Sequence, residues 1–430
     1  MKKIFKNQIT KLRDNVLQNP LLRSKITYIV NYFPNFKIRL KGLAPKSVHY
    51  GDWKSTRKEN EFLVDVSHIY KEDLGTGVQR VVRSIMHYLE QSSPFGLDLQ
   101  PIYLTDEDGY WCYKYVKSPS IIVVPKKGDI FLGLDLNKVI YIPGELGLFE
   151  DWKKRCVDIN FIVYDILPIQ FPQFYSKDVS IAYKLWLDTV INCSSRLVCI
   201  SQSVCNDVQK YIVKNCENFL TLPKLDWFHL GADIENSCAT KGIPSDANKI
   251  LDALKTTSSF LMVSTIEPRK GHKQTLKAFE QLWLEGIDLS LVIVGKLGWM
   301  MDSFKRKLQN HPEFNKRLYW LEGISDEYLE KIYAASTCLI MPSISEGFGL
   351  PLIEAAQHKK PIIIRDIPVF NEVAGEFAYY FKDSSSPQVI AESIKNWLKL
   401  YETHSYPKSD KMPWLTWKES TEQLMNCMKK

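Results

Sequence analysis

Two glutamates eight positions apart flank a Gly-Phe-Gly turn in residues 343–361, SISEGFGLPLIEAAQHKKP. Glu346 follows a short apolar run with strand character, TCLIMPS, and directly precedes the turn. The two glycines of the turn lack side chains and would let a ligand approach the backbone. Pro351 fits the first turn of a helix, and LIEAAQ is good helix-forming sequence. We therefore expect Glu346 on a loop before a helix N-terminus and Glu354 one or two turns into the helix.

This arrangement of carboxylates suits one class of ligand. The free amides of a helix N-terminus beside a glycine loop bind anions such as a diphosphate. A carboxylate within the helix can take a ribose diol, as acidic residues do in dinucleotide-binding folds. The carboxylate on the loop can contact a third part of the ligand, a group attached to the far side of the diphosphate from the ribose. The stretch thus predicts a nucleotide-sugar site, and the alternative is a strand-turn-helix with two solvated acids.

A second strand-to-helix crossing, STIEPRKGHKQ, supplies the opposite charge. It presents Glu267, Arg269 and Lys270 just before a glycine. Two adjacent cations at the carboxyl edge of a sheet suit a diphosphate leaving group. A solvated basic turn is the alternative, and it is disfavoured because both loops are expected at corresponding edges of one sheet.

The elements that must position these loops alternate between strand and helix character. EFLVDVS, a glycine loop YKEDLGTGVQR and the helical pattern VQRVVRSIMHYLEQ open a βαβ unit. SIIVVP, DIFLGLD, KVIYIP, INFIVYDILP and RLVCIS are predicted strands, and periodicity breaks down at residues 221–250. A second βαβ series follows. The 430 residues therefore predict two α/β domains with parallel sheets covered on both faces.

The two loops together resemble those of a known family. Glu346 to Glu354 matches the E-x7-E motif of retaining GT-B glycosyltransferases, and EPRKG with EGFGLPLIEA is similar to glycosyltransferase family 4. This resemblance implies two Rossmann-like domains with parallel sheets facing across a cleft. The boundaries it implies are a basic, aromatic N-terminal extension (1–58), an acceptor-side domain (59–235), a nucleotide-sugar-binding domain (236–411) and a C-terminal helix that crosses back to the first domain (412–430).

The resemblance also implies a role for each matched residue. Lys270 would neutralise the diphosphate, and Glu346 would bind hydroxyls of the donor sugar. The family often has an arginine where this chain has Ser264, so Arg269 is the candidate for the missing charge. The remaining donor contacts that the resemblance implies are Glu267, Glu354 at the ribose, the amides of Phe348, Gly349 and Leu350, Gly75 and Gly77 over the diphosphate, and Gly323 and Ile324 near the base.

One substitution and one absence bear on the mechanism. Where the family often has a His-Asp pair, this chain has Tyr164-Asp165, so Asp165 is a candidate contact to donor or acceptor, or else a cap at a strand end. No residue is an obvious covalent nucleophile. Retention in this fold is usually attributed to attack on the face from which the diphosphate leaves. Lys270, Arg269 and the helix amides would stabilise the leaving phosphate, so no cofactor and no metal site is expected.

Three rival interpretations differ in class. Asp106-Glu107-Asp108 fits the D-x-D pattern of metal-dependent GT-A enzymes, but LTDEDGYW also fits a hairpin turn, which we favour. The net charge of +7 suggests nucleic-acid binding, yet no helix-turn-helix, zinc or RNP signature accompanies it. A glycan-binding relative without catalysis is the third class, and the intact E-x7-E and PRK motifs argue against it.

The donor and the location follow from further resemblance and from charge. IEPRKG with TGVQR, YDILPI and FHLGAD resembles the mannosyltransferase-like branch that builds bacterial surface polysaccharides. That branch implies GDP-mannose first, a UDP-sugar second, a lipid-linked or glycan acceptor, and contact with other polysaccharide-synthesis enzymes.

The distribution of charge and cysteine points to a cytoplasmic protein at a membrane face. Residues 1–50 hold eleven lysines and arginines against one acid, Asp14, which favours an anionic membrane surface over a merely solvated tail. Nine scattered cysteines suit a reducing compartment. No apolar stretch approaches the roughly 20 residues that span a bilayer. Peripheral attachment to the inner face of the cell membrane is therefore expected.

Overall fold

The computed structural model describes residues 46–47, 55–73, 75–107, 110–219, 221–233 and 239–429. This part of the chain contains two β-sheets covered by helices, one of eight strands and one of six. We call the elements around the first sheet the N-terminal domain and those around the second sheet the C-terminal domain. Two α/β domains with mainly parallel sheets are what the sequence predicted.

The first sheet has the strand order β1-β4-β3-β2-β5-β6-β7-β8. Only the β3–β4 pair is antiparallel among its described pairings. The strands are β1 Lys46–Ser47, β2 Glu61–Asp65, β3 Asp98–Glu107, β4 Tyr110–Tyr115, β5 Ile130–Gly133, β6 Asp158–Val163, β7 Arg196–Cys199 and β8 Lys224–Trp227.

The second sheet is parallel in each described pairing, with the order β11-β10-β9-β12-β13-β14. Its central strands are continuous apolar runs buried on both faces, as in LSLVIV and CLIM. This is the pattern of parallel strands that carry helices on both sides. The strands are β9 Ser258–Val263, β10 Leu289–Val294, β11 Leu318–Leu321, β12 Cys338–Met341, β13 Ile362–Arg365 and β14 Tyr379–Phe381.

The helices connect successive strands and cover both sheets. They are α1 Ser67–Lys71, α2 Gly77–Glu90, α3 Tyr141–Glu145, α4 Leu148–Lys154, α5 Leu167–Gln170, α6 Lys177–Cys193, α7 Gln202–Lys214, α8 Ala247–Thr256, α9 His272–Leu284, α10 Asp302–Gln309, α11 Asp326–Ala335, α12 Leu350–Gln357, α13 Pro368–Ala374, α14 Pro387–Glu402 and α15 Trp417–Lys429. No helix in the described residues is both long and apolar enough to cross a bilayer.

Two predicted strands are wrong. KVIYIP is helical, forming a short 3-10 turn at Lys138–Ile140 and then α3. The Asn137 side chain accepts from the Val139 amide at 3.3 Å and so starts this turn, and Pro143 is tolerated early in a helix but cannot donate to a sheet. SIIVVP forms only an isolated bridge, between Ile122 and Lys114 of β4, and β1 pairs with the other end of that strand.

The D-x-D candidate lies at a hairpin. Glu107 ends β3 and pairs with Tyr110, the first residue of β4, and Asp106 pairs with Trp111 within the same antiparallel ladder. Asp108 lies outside the described residues. The polar hairpin turn that the sequence favoured is therefore the local structure here.

The C-terminal helix and the residues before β2 contact the N-terminal domain. Helix α15 packs against α2 and β7, and the Trp417 amide donates to Asp233 Oδ1 at 2.6 Å. Much of the predicted extension at 1–58 lies outside the described residues, but Arg57 forms ion pairs with Glu61 at 2.6 Å and Asp129 at 2.7 Å. Residues 55–58 thus belong structurally to the first sheet.

Candidate active site

The two motif loops lie side by side because their strands are neighbours. β9 pairs with β12, and the loops that follow both strands meet at the carboxyl edge of the second sheet. The Ile344 amide donates to the Arg269 carbonyl at 2.8 Å, and Arg269 Nη1 donates to the Ser345 carbonyl at 2.7 Å. The structure therefore brings EPRKG and SEGFG together as one surface.

Four charged side chains cluster on this surface. Lys270 Nζ lies 2.5 Å from Glu346 Oε1, and Arg269 Nη1 lies 3.1 Å from Glu346 Oε2. Arg269 Nε is also 3.2 Å from Glu267 Oε2. Their side chains are only 7–12% exposed, so the cluster is two cations and two carboxylates almost removed from water.

Burial and charge act in opposite directions on these groups. Burial opposes ionisation of Glu346, but Lys270 and Arg269 outweigh it and lower the pKa of Glu346 to about 2. Burial, and then repulsion from Arg269, lowers the pKa of Lys270, while Glu346 opposes that shift. Burial raises the pKa of Glu267. Glu346 is consequently an anion at neutral pH whose charge is held by two fixed cations.

Asp165 joins the cluster from the N-terminal domain. It follows β6, and its Oδ1 accepts from the Leu167 amide at 3.1 Å and from the Tyr183 hydroxyl at 3.4 Å. Burial raises the pKa of Asp165, and Arg269 partly reverses that shift. Asp165 therefore accepts a hydrogen bond just after the end of β6 and faces the charged cluster, and its contact with donor or acceptor stays a prediction.

Tyr164 occupies the position where a histidine was expected. It is buried, and its hydroxyl donates to the Leu134 carbonyl at 2.8 Å within the N-terminal domain. A sugar contact by this side chain is therefore replaced by a contact inside the domain.

The glycine after Glu346 lies where the two domains touch. A Cβ atom at Gly347 would overlap the Tyr164 carbonyl oxygen and would lie 3.3 Å from the Asp165 Cβ. The Ser201 hydroxyl also donates to the Gly347 carbonyl at 2.7 Å. Gly347 lets the N-terminal domain approach the backbone at this point, and the close approach of a ligand stays a prediction.

The helix after the turn presents its amino end to the glycine loop of the other domain. Gly349 has the left-handed φ of 103° and leads into α12. In the described part of the chain, the amides of Phe348, Gly349 and Leu350 donate to no protein acceptor. A Cβ at Gly77 would lie 4.0 Å from Leu350 Cδ1, and one at Gly75 would lie 3.9 Å from Lys296 Nζ. The amides at which a diphosphate is predicted to bind thus lie beside the glycine loop of the N-terminal domain.

Glu354 lies on the first turns of α12, as predicted, but already has partners. Its side chain is 3% exposed, its Oε2 accepts from the Tyr333 hydroxyl at 2.7 Å, and its Oε1 accepts from Arg80 Nη1 at 2.7 Å. Arg80 Nη2 lies 2.6 Å from Asp326 Oδ1. Gly323, at a φ of 67°, and Ile324 precede Asp326, so the predicted base loop lies at this end of the cleft.

Comparison with known proteins places this site in a family. Residues 246–411 match the family model described as glycosyl transferases group 1. The chain carries a group 1 glycosyltransferase domain. Both motif loops, Glu346 and Glu354 lie within the matched residues of this glycosyltransferase domain.

Relatives extend the similarity over most of the chain. It is 41% identical over 397 residues to the serotype-specific mannosyltransferase WbdA of Escherichia coli, covering 89% of this chain and 48% of that protein. It is 31% identical over 138 residues to the O-antigen chain mannosyltransferase RfbU of Salmonella typhimurium, covering 32% of this chain and 38% of that protein. The chain spans about half the length, or less, of the curated relatives it matches.

Solved structures confirm the predicted fold. Anabaena HepE, in complex with UDP and glucose, is similar with a TM-score of 0.59 at 14% identity, covering 86% of this chain and 99% of that one. Sucrose-phosphate synthase from Thermosynechococcus elongatus is similar with a TM-score of 0.60 at 14% identity, covering 86% and 98%. This chain therefore has a GT-B fold of two α/β domains.

Two further residues of the site were not predicted. His272, the first residue of α9, is fully buried, and its Nε2 lies 3.3 Å from the Ser264 hydroxyl. Burial, with some repulsion from Lys270, lowers the pKa of His272 to about 3. Trp299 donates to the Phe174 carbonyl at 2.7 Å across the cleft and stays 40% exposed. In the sequence, both residues stand shortly after a predicted strand of the second sheet, His272 at the end of RKGH and Trp299 at the end of GKLGW. That position was the sequence feature that could have pointed to them.

Proposed function

We propose that this protein is a retaining glycosyltransferase that moves mannose from GDP-mannose to a lipid-linked or polysaccharide acceptor in the synthesis of a bacterial surface glycan. The observation that carries the proposal is a buried Glu346 held by Lys270 and Arg269 at the amino end of α12, with Glu354 farther along the same helix. The choice of mannose is supported by the names of the relatives, which are mannosyltransferases.

The order of groups along α12 supports one pose of the donor. The ribose hydroxyls meet Glu354, and the base lies toward Gly323 and Ile324. The diphosphate meets the amides of residues 348–350, with the loop of Gly75 and Gly77 on its other side. The sugar then lies at Glu346, where a carboxylate that is ionised at neutral pH can accept hydrogen bonds from its hydroxyls.

The proposed reaction breaks the bond between the anomeric carbon and the diphosphate and forms a bond from that carbon to an acceptor oxygen on the same face. The acceptor hydroxyl gives its proton to the departing diphosphate. Lys270 and Arg269 stabilise the negative charge that builds on that leaving group. Since these cations and the helix amides are fixed, the proposal requires no metal ion.

We place the acceptor on the N-terminal side of the cluster. Asp165 faces the cluster from that domain, and the exposed indole of Trp299 lies beside Tyr175, with ring centroids 5.4 Å apart. Peripheral attachment at the cytoplasmic face of the membrane, and contact with other enzymes of polysaccharide synthesis, belong to the same proposal because a lipid-linked acceptor resides there.

A donor screen tests the proposal. The full chain is heated with GDP-mannose, UDP-glucose or dTDP-glucose, and its melting temperature is compared with that of the Glu346→Gln variant. GDP-mannose should raise the melting temperature of the wild type most, and should raise that of the variant less. Stabilisation by a UDP-sugar alone would exclude mannose from GDP-mannose as the transferred group, and stabilisation by none of the three would overturn the proposal.

A further inference from the structure

One arginine of the N-terminal domain reaches into the nucleotide end of the cleft. Arg80 lies in α2, three residues after Gly77, and its two terminal nitrogens contact two carboxylates of the C-terminal domain. Nη1 is 2.7 Å from Glu354 Oε1, and Nη2 is 2.6 Å from Asp326 Oδ1. The sequence distances across these pairs are 274 and 246 residues, so only the packing of the domains creates them.

The contact with Glu354 is buried and fixed from two sides. The Glu354 side chain is 3% exposed and that of Arg80 is 21% exposed. Tyr333 donates to the second oxygen of Glu354, and the Tyr333 ring stacks on His358 with centroids 5.2 Å apart at 7°. The carboxylate therefore has one orientation, held by a cation of one domain and a phenol of the other.

This orientation leaves part of the hydrogen-bonding capacity of Glu354 unused. A carboxylate has about four acceptor positions, and protein donors take two of those of Glu354. Asp326 is held separately, because its Oδ2 accepts from the Thr240 amide at 2.9 Å and the Thr240 hydroxyl at 2.8 Å. In the described part of the chain, Arg80 is thus the cation that pairs with Glu354. In the proposed pose, ribose hydroxyls would bind to this same carboxylate.

We infer that Arg80 is a positioning residue that orients Glu354 for the ribose hydroxyls of the nucleotide, so that nucleotide recognition depends on the N-terminal domain. The inference rests on the proposed function and adds a residue to it. Without Arg80, Glu354 is a buried charge that lacks its cation, and its carboxylate is no longer held in this orientation. Loss of that orientation removes its preference for a ribose diol.

The inference predicts a specific loss. Isothermal titration of the full chain with GDP, 2′-deoxy-GDP and 3′-deoxy-GDP gives a dissociation constant for each. The wild type should bind GDP on the order of 10- to 100-fold more tightly than at least one deoxy analogue, since a hydrogen bond to a charged group is lost. In Arg80→Gln this ratio should fall to near one.

Two variants distinguish positioning from general support of the fold. Arg80→Lys keeps a cation but cannot contact both carboxylates as a planar fork, so its ratio should be intermediate. Asp326→Asn weakens the other half of the contact, together with the hydrogen bonds from Thr240, and should keep the wild-type ratio even if its melting temperature falls. Each variant is compared at a temperature well below its own melting point.

The outcomes separate this inference from the proposed function. A wild-type ratio in Arg80→Gln would show that Arg80 only joins the domains, and the inference would be lost. A wild type that transfers mannose from GDP-mannose but binds all three nucleotides equally would also remove the inference and leave the proposed function standing. Failure of all three nucleotides, GDP included, to bind the wild type would overturn both.

Discussion

Because Glu346 is paired with Lys270 and Arg269, a substitution of any one of them can lower stability as well as activity. Removing one partner of a buried ion pair leaves the other charge without compensation, which typically destabilises a protein by roughly 3–5 kcal/mol. All three side chains are at most 12% exposed. A loss of activity must therefore be read together with a measure of folding.

We predict that Glu346→Gln and Lys270→Ala each reduce turnover of the donor by a factor on the order of 10²–10³, because each removes one preorganised charge contact. Initial rates of nucleotide release are measured with the melting temperature of each variant as the control. Turnover close to that of the wild type in either variant would take that residue out of the proposed site.

The pKa of Glu346 predicts how stability depends on pH. The pKa falls from 4.5 to about 2 in the folded protein, so its ion pairs contribute stability that is complete above pH 4.5 and lost as pH falls toward 2. Urea unfolding from pH 7 to pH 3 gives the free energy of unfolding of the wild type and of Glu346→Gln. The difference between these two free energies should narrow below pH 4.5. A difference that stays constant over this range would contradict the assigned ion pairs.

At the scale of elements, the loops after β9 and β12 lie together at one edge of the second sheet, as the sequence predicted. Carboxyl ends of neighbouring parallel strands meet at one edge, so Glu267, Lys270 and Glu346 were predictable from sequence. Arg80 and Tyr333 were not, because their contacts with Glu354 depend on how domains and helices pack. Local sequence also misled at KVIYIP, where a polar cap outweighed strand propensity.

We predict that Gly347→Ala disrupts the contact between the domains at this loop. The added Cβ overlaps the Tyr164 carbonyl oxygen, and such overpacking costs about 1–3 kcal/mol. The KM for the donor should rise roughly tenfold or more, in line with that cost. Ser201→Ala is the matched control, since it removes only the hydrogen bond to the Gly347 carbonyl and should have a smaller effect. Equal effects in the two variants would contradict the overlap.

The amino end of α12 and the two cations predict a reaction without a metal. Turnover should persist in excess EDTA, because Lys270, Arg269 and the amides of residues 348–350 would face the diphosphate in the proposed pose. Initial rates with and without the chelator test this. Complete loss that manganese or magnesium restores would contradict it and return attention to Asp106 and Asp108.

At the scale of the whole molecule, contacts at several points hold the domains together. Arg80 contacts Glu354 at the proposed nucleotide end of the cleft. Trp299 donates to the Phe174 carbonyl at the proposed sugar end. At a third point, Glu372 accepts a hydrogen bond from the Ser203 amide at 2.7 Å. These contacts hold the two domains on either side of the cleft. Donor recognition in our proposal therefore needs both domains.

The basic, aromatic segment before the first sheet predicts a membrane contact rather than a role in the reaction. A cation near an anionic surface contributes about 1 kcal/mol, and aromatic residues favour the interface. Deleting residues 1–45, which spares β1 and Arg57, should weaken sedimentation with anionic liposomes and leave turnover of a soluble acceptor analogue unchanged. Sedimentation of the full chain that is equal with neutral and anionic liposomes would contradict this prediction.

The stereochemistry and the donor of the transferred sugar test the central claim most directly. The full chain is incubated with GDP-mannose labelled with ¹³C in the sugar and with a mannose-terminated acceptor, and the one-bond C–H coupling of the new anomeric carbon is measured by NMR. Because GDP-mannose is α-linked and the proposed attack occurs on the face that the diphosphate leaves, we predict release of GDP and a new α-linked mannose. A β-linked product, or no transfer from GDP-mannose under conditions where a UDP-sugar is transferred, would contradict the account.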